Sequence, residues 1–486
     1  MLEKIDLNKK MGRKEFKEKT APLEVRFGSL QRECKELGIP IMVIFEGYDA
    51  AGKGLLINRL IRPLDPRGFQ VYTIGKETKE DEMHPYFWRF FTKTPAKGRM
   101  HLFDRSWYRG VLEDEKLTFE EVNQFEKQFT DDGTLIIKFF LCITKKEQKK
   151  RFQVLEKSKD TAWRVTKEDW KHNENYDSWT KLYDDMLIRT DTPNAPWTVV
   201  ESMDKEYAVC KILSTVVARM EAAVAKKRKE NSGQAAGYLA DVLPEGFENG
   251  VLNGVDLSCT LSQEEYKKRK KDLQERLSCL HNVMYQKRVP VILAFEGWDA
   301  GGKGGAIKRI TECMDPRGYE VVPVASPNDV EKSHHYLWRF WQKAPKAGHM
   351  AIFDRTWYGR VLVERIEGFA TEEEWKRAYK EINNMEENMA KSGCLILKFW
   401  MHIDKDEQEN RFKLRQETPE KQWKITDEDW RNREKWDEYE KAVDEMIVRT
   451  STSYAPWIVV EANDKPYARI KVLETVVEQL EKALGK

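Results

Sequence analysis

The chain is written twice, and this repetition limits its fold more than any other feature. Ile5-Asp6-Leu7 returns as Val255-Asp256-Leu257 and Asp104-Arg105 returns as Asp354-Arg355, at a constant offset of 250. Beyond the Trp-Tyr pair of each copy the offset grows, so that Lys138 matches Lys398, Trp170 matches Trp430 and Arg189 matches Arg449 at 260. The second copy thus keeps about ten residues that the first lacks, between 112 and 138. A period this long marks a duplicated domain, since solenoid repeats run at roughly 20–50 residues. The expected organisation is a domain over 1–225, a polar, Gly-containing linker over 226–254 and a second domain over 255–486.

Each copy reads as alternating strands and helices. In the second, a charged segment (262–287), with Ser262 as helix cap and Glu265 to complete a capping box, precedes the apolar run VPVILAFEG. Its length and β-branched residues suit a buried parallel strand. Further strands are expected in 319–325, 349–354, 394–404 and 457–463. The pattern predicts an α/β fold of two tandem domains, each a parallel sheet flanked by helices, with ligands at the carboxyl ends of the strands.

The strand at 289–297 runs into FEGWDAGGKGG, and its counterpart into FEGYDAAGKGL. Both have the spacing G-x-x-x-x-G-K: Gly297, Gly302, Lys303 and Gly47, Gly52, Lys53. Such a loop turns its backbone N–H groups and the following helix N-terminus toward phosphate oxygens, and the lysine adds a mobile positive charge. The hydroxyl that ordinarily follows the lysine and ligates magnesium is missing. Each loop instead carries an acid, Asp299 or Asp49, that could ligate a hard cation or merely cap the loop.

Asp354 ends an apolar strand, where a second metal-directed carboxylate belongs, and Arg355 beside it could neutralise a moving phosphoryl group or form a local salt bridge. Near the end of the copy Arg411 and Arg415 fall on one helical face, followed by Lys421, Lys424 and a cap at Thr426 with Asp429. This suits a basic lid over a polyanion or a solvated face. The aromatic stretches HHYLWRFWQKAP and WRNREKWDEYEKA are expected mainly in the core.

Lys and Arg total 84 against 82 Asp and Glu, so no global field draws the chain to nucleic acid or membrane. The seven cysteines form no C-x-x-C pair, and no apolar signal segment opens the chain. A cytoplasmic protein with reduced thiols is expected.

With the loop, the Asp-Arg strand end and the basic helix in place, the chain resembles the polyphosphate kinase type 2 family of the P-loop kinase superfamily. The stretches that carry the resemblance are FEGWDAGGKGGAIKRI, HHYLWRFW, FDRTWYGRVLVERIEG, DEQENRF with DEDW, and APWIVVEANDKPYAR. The tandem arrangement is similar to the two-domain branch, the polyphosphate:AMP phosphotransferases. The resemblance implies transfer of a terminal phosphoryl group from inorganic polyphosphate to AMP, with magnesium, or manganese in its place, and self-association. It implies Asp299 and Asp354 as metal-directed carboxylates, and Lys303 and Arg355 as catalytic cations. Gly297, Gly302, Gly304, Arg360, Arg411, Arg415 and Lys424 would surround the phosphates, and Asn328 and Arg339 the nucleotide.

The copies are unequal. Gly305 becomes Leu55, Lys308 becomes Asn58, the order Tyr-Gly-Arg at 358–360 becomes Tyr-Arg-Gly at 108–110, Arg415 becomes Leu155 and Arg433 becomes Asn173. Catalysis is therefore expected in the second half, with the first structural or regulatory. Three rivals stand beside this reading: ADP or a guanine nucleotide as acceptor, an ATP-dependent nucleoside monophosphate kinase, and a non-catalytic scaffold.

Overall fold

The computed structural model describes residues 1–232, 250–419, 422 and 427–485. They form two compact units. The first comprises Met1–Glu77, Arg89–Gly237 and Asp329–His335, and the second Thr78–Trp88, Tyr238–Asn328 and Tyr336–Lys486. Each unit thus follows one copy of the duplication and takes in one short segment of the other copy.

In the first unit five parallel strands, β1 (Ile41–Gly47), β2 (Phe69–Thr73), β3 (Met100–Asp104), β4 (Leu135–Cys142) and β5 (Trp197–Glu201), lie in the order β2-β3-β1-β4-β5. The second repeats the plan with β6 (Val291–Gly297), β7 (Tyr319–Pro323), β8 (Met350–Asp354), β9 (Leu395–His402) and β10 (Trp457–Glu461), ordered β10-β9-β6-β8-β7. All five strands expected of the second copy are present. The central β6 and β9 are buried along almost their whole length, which is why their sequences run apolar without alternation.

The principal helices of the first unit are α1 (Arg13–Glu36), α2 (Lys53–Ile61), α3 (Phe119–Asp131), α4 (Lys145–Lys157), α5 (Lys167–Glu174), α6 (Tyr176–Thr190) and α7 (Lys205–Asn231). Their counterparts are α8 (Gln263–Lys287), α9 (Lys303–Thr311), α10 (Glu372–Lys391), α11 (Lys405–Glu417), α12 (Asp427–Glu434), α13 (Trp436–Thr450) and α14 (Lys465–Leu484). Ser262 caps α8 as expected, accepting from the Glu265 amide, and its hydroxyl donates to the Glu265 carboxylate at 2.7 Å. The segment 334–345 is core as expected, with Leu337, Phe340 and Trp341 buried.

The ten additional residues of the second copy divide between two places. Three lengthen the connection ahead of the helix cap, Thr371 against Thr118, and seven extend α10 by two turns at its start. Both caps are complete boxes, Thr118 with Glu121 and Thr371 with Glu374. The added turns carry Trp375, whose ring lies 4.0 Å from the Arg365 guanidinium, and Arg365 also pairs with Glu445 at 2.7 Å. The extension thereby steadies the helical turn at 363–366, whose counterparts in the first copy, from Glu113 on, are not helical.

A fully buried ion pair anchors each sheet. Lys398, in the middle of β9, reaches Glu386 at 2.7 Å, the Tyr358 hydroxyl at 2.8 Å and the Thr450 carbonyl at 2.7 Å. The other Glu386 oxygen accepts from the Trp357 indole at 3.0 Å and the Tyr358 hydroxyl at 2.7 Å. Lys138, Glu126, Tyr108 and Trp107 repeat the arrangement. Every polar atom of the Lys398 ammonium finds a partner, so the pair is tolerated without water.

All seven cysteines are free thiols, and among the described residues no helix is long and apolar enough to cross a membrane. Lys398→Met leaves Glu386 as an unpaired buried charge and is expected to cost about 3–5 kcal/mol in urea unfolding of the full chain. Adding Glu386→Gln restores part of that loss, because an amide oxygen can still accept from Trp357 and Tyr358. An unchanged midpoint for Lys398→Met would contradict the anchoring role.

Candidate active site

The site of the second unit begins where β6 ends. Gly297 has φ +147°, and a Cβ placed there would stand 2.6 Å from the Met401 carbonyl oxygen of β9, so only glycine fits. Two further left-handed residues, Ala300 at φ +61° and Gly302 at φ +110°, turn the chain into α9, which opens at Lys303. The Lys303 ammonium donates to the Gly297 carbonyl at 2.7 Å and the Trp298 carbonyl at 3.4 Å, folded over its own loop.

The parallel register sets Asp354 beside Phe295, so β8 ends level with the loop. Arg355 follows at φ +65°, a strained conformation for a side chain of this size, and its guanidinium meets the Asp299 carboxylate at 3.2 Å. The other Asp299 oxygen accepts from the Asn432 amide at 3.1 Å, and its carbonyl from Gln408 at 3.1 Å. Glu296, buried at the base of the loop, accepts from the Thr356 amide and hydroxyl, each at 2.7 Å. Burial pushes its carboxyl above the ordinary value.

Two cavities share the loop as a wall. The smaller, about 90 Å³, brings together Asp299, Lys303 and Arg355 beside the apolar Leu362, Val363 and Trp436. The larger, about 260 Å³, lies against Gly301, Gly302 and Gly305 and is rimmed by Arg411, Arg415, Lys465 and Arg469.

Most of the residues singled out in the sequence converge here. Gly304 opens onto free space at the start of α9. Arg411 is buried and tied into the fold: it donates to the Ala300 carbonyl at 2.8 Å, the Ala462 carbonyl at 2.6 Å and the Asn463 carbonyl at 3.0 Å, and pairs with Glu407 at 2.5 Å. Its neighbour one turn on, Arg415, lines the same cavity. Arg360 pairs with Glu364 at 3.0 Å and covers the Tyr336 ring at 4.4 Å, and it lines neither cavity. Nor do Asn328 and Arg339, the latter donating to the Ala325 carbonyl at 2.8 Å. Lys421, Lys424 and Thr426 lie outside the described residues, as does the side chain of Asp429.

Sequence reasoning missed Asn432, Gln408, Lys465 and Arg469. The replacement of Asn432 by His172, and of Arg469 by Val209, was the available signal.

The first unit builds the same loop and fills the space in front of it. Lys53 folds back to the Gly47 and Tyr48 carbonyls at 2.9 and 3.2 Å, and Arg151 ties the loop as Arg411 does. Asp49, however, is held by Arg105 at 2.6 Å and by His172 at 2.9 Å. Burial works against its ionisation, yet the His172 hydrogen bond and the charges of Lys53 and Arg105 outweigh it and hold the carboxyl at about 2. Where Gly359 leaves room in the second unit, Arg109 is buried and pairs with Glu113 and, at 3.8 Å, with Asp114. Glu113, which occupies the place of Val363, also stands 3.9 Å from Arg105. Inversion of Tyr-Gly-Arg to Tyr-Arg-Gly therefore buries a guanidinium whose partner Glu113 stands beside Arg105, the residue that holds Asp49.

The hydrogen bond to Asp49 raises the His172 pKa, so its contribution to stability is full below the unfolded value of about 6.5 and is lost as pH rises through the higher folded value. His172→Asn is expected to flatten this part of the alkaline loss in denaturant unfolding measured from pH 6 to pH 9. Parallel pH profiles for the variant and the wild type would contradict it.

Comparison with known proteins matches this geometry to a family. The family model for polyphosphate kinase 2 matches residues 10–229 and again 260–486. The polyphosphate:AMP phosphotransferase of Pseudomonas syringae pv. tomato is 41% identical over 458 residues, 92% of this chain and 91% of the relative. That of Pseudomonas aeruginosa is 40% identical over 476 residues, 96% and 95% of the two chains. A crystal structure from Pseudomonas aeruginosa, assigned as polyphosphate kinase 2, superposes with a TM-score of 0.86 at 35% identity and covers 99% of both chains. The chain belongs to the polyphosphate kinase 2 family, and both of its halves carry the family's domain.

Proposed function

We propose that this chain transfers the terminal phosphoryl group of inorganic polyphosphate to AMP, giving ADP and a polyphosphate one unit shorter, and that the second half performs the transfer. The observation that carries the assignment to the second half is the difference in access to the loop acid. Asp299 and Arg355 border a cavity and Arg355 is exposed, whereas Asp49 is buried against Arg105 and His172, and Arg105 also stands near Glu113, which pairs with Arg109. Polyphosphate and AMP as substrates rest on the names of the full-length relatives.

In this reading an oxygen of the AMP phosphate attacks the terminal phosphorus of the donor. The bond from that phosphorus to its bridging oxygen breaks, and the electron pair stays on the shortened polyphosphate. No protein nucleophile is required, because positioning and charge stabilisation supply the rate. Lys303 and the loop amides hold the phosphoryl oxygens, and Arg355 meets the charge that spreads over them. Asn328 and Arg339 are proposed to border the nucleotide.

The donor set fits magnesium. Asp299 and Asp354 offer two carboxylates at the level of the loop, and among the described residues no group of three or more His, Cys, Asp or Glu forms an all-protein cage. Magnesium is ordinarily held by one or two carboxylates together with substrate phosphates and water. When bound it would supply positive charge to offset that of the phosphates. Seven reduced thiols support a cytoplasmic location.

The test is ADP formation from AMP, polyphosphate and magnesium without ATP. Lys303→Ala is expected to lower kcat by roughly a hundredfold or more, and Lys53→Ala to leave it nearly unchanged. Equal losses for the two variants would sink the assignment of transfer to one half, and no ADP from the wild type would sink the reaction itself.

A further inference from the structure

Trp298 stands inside the phosphate loop, between Gly297 and Asp299, and its side chain is buried. The ring lies face to face with Trp436, centroids 3.6 Å apart and planes within 10°. Its indole N–H donates to Nδ1 of His402, the last residue of β9, at 3.1 Å, and Trp400 meets it edge-on at 5.7 Å. Burial brings the His402 pKa down to about 4, so the ring is neutral and its Nδ1 stays an acceptor near neutral pH. The Trp298 carbonyl accepts from the Gly301 amide at 2.8 Å and from the Lys303 ammonium at 3.4 Å, so the same residue also organises the loop backbone.

Trp436 is the first residue of α13 and follows α12 closely, since α12 ends at Glu434. Asn432 of α12 lies four positions before Trp436, and its amide donates to one Asp299 oxygen at 3.1 Å while Arg355 meets the other at 3.2 Å. The contacts close a ring. It runs from the end of β9 through His402 to Trp298, by stacking to the start of α13, back along the chain to Asn432, and from Asn432 to the acid next to Trp298. A carboxylate that must face a ligand in one orientation depends on such outer partners. Here the stack sets where the Asn432 donor stands.

The first half keeps the arrangement with other side chains. Tyr48 and Tyr176 stack at 4.7 Å and 12°, and His172, at the position of Asn432, holds Asp49 at 2.9 Å. All three residues differ between the copies, yet a stacked pair and a polar contact to the loop acid occur together in both. A tyrosine can therefore stand in for the tryptophan, which supplies a conservative substitution for the test.

We propose that Trp298 and Trp436 are positioning residues for the transfer: their stack sets the start of α13 against the loop and, through Asn432, fixes the orientation of the Asp299 carboxylate. This rests on the reading that the second half performs the transfer. The experiment is a double-mutant cycle on the full chain, with kcat and both KM values for ADP formation from polyphosphate and AMP, and urea midpoints, for wild type, Trp436→Leu, Asn432→Ala, the double variant and Trp436→Tyr.

Trp436→Leu keeps apolar bulk and removes the stacking face. It is expected to lower kcat roughly tenfold with both KM values within about twofold. In the Asn432→Ala background the same change is expected to lower kcat by less than about twofold, because both residues act on one carboxylate. Trp436→Tyr recovers most of the loss. Losses that simply multiply, or an unchanged kcat for Trp436→Leu, would overturn the proposal, and so would a KM that rises while kcat holds. Trp436→Met takes the place of Trp436→Leu if the latter does not fold. If the wild type makes no ADP, the reaction reading fails, and hydrogen exchange of the same ligand-free proteins decides the stack separately. Faster exchange in α12 for Trp436→Leu at a matched unfolding midpoint supports it, and equal exchange overturns it.

Discussion

The register of one parallel strand governs this site. β6 lies between β8 and β9, pairing Phe295 with Asp354 and Gly297 with Met401, so three chain segments leave the sheet at one level. The approach to Met401 is close enough to demand glycine at 297, and the chain must then turn sharply into α9. From that constraint follow the inward turn of the loop, the placement of Asp354 and Arg355 against it, and the left-handed backbone at Ala300 and Arg355. The buried Lys398–Glu386 pair holds Trp357 and Tyr358 behind the same edge, and Arg411 ties the loop carbonyl of Ala300 to the end of β10. The strain at the site is therefore supported from both sides of the sheet.

An identical scaffold in the first half leads to a different surface. The loop, its lysine, its acid and the tying arginine are all retained, yet Arg105 is half-buried where Arg355 is exposed. The difference lies in what fills the volume beside the acid. A glycine at 359 and a valine at 363 line a cavity and bring no charge, whereas Arg109 is buried and pairs with Glu113, which also stands near Arg105. The added two turns of α10 complete the contrast by steadying the wall that Val363 belongs to.

The fold was largely legible in the sequence, because a buried parallel strand announces itself as a short unbroken apolar run and a phosphate loop as glycines at fixed spacing. The duplication and the inequality of the halves were legible for the same reason, as residue-by-residue differences. What side chains do at a distance was less legible. Arg411 and Arg415 share a helical face and line one cavity, and their spacing alone gives no sign that the first also turns into the loop backbone. Arg469 lies in a helix rich in charge, and its partner in space, Gly305, is 164 positions earlier. The ten extra residues were evident as a length difference, but their division between a connection and a helix start depended on which threonine caps the helix.

The central proposal is that the first half does not transfer because charged side chains crowd the space in front of its loop acid. Installing the first half's residues in the second tests it: full-length Gly359→Arg with Val363→Glu, compared with wild type for ADP formed from polyphosphate and AMP and for its urea unfolding midpoint. The account predicts that turnover falls roughly a hundredfold or more at a near-normal midpoint. Turnover retained with both residues in place would show that the occupied space is not what separates the two halves.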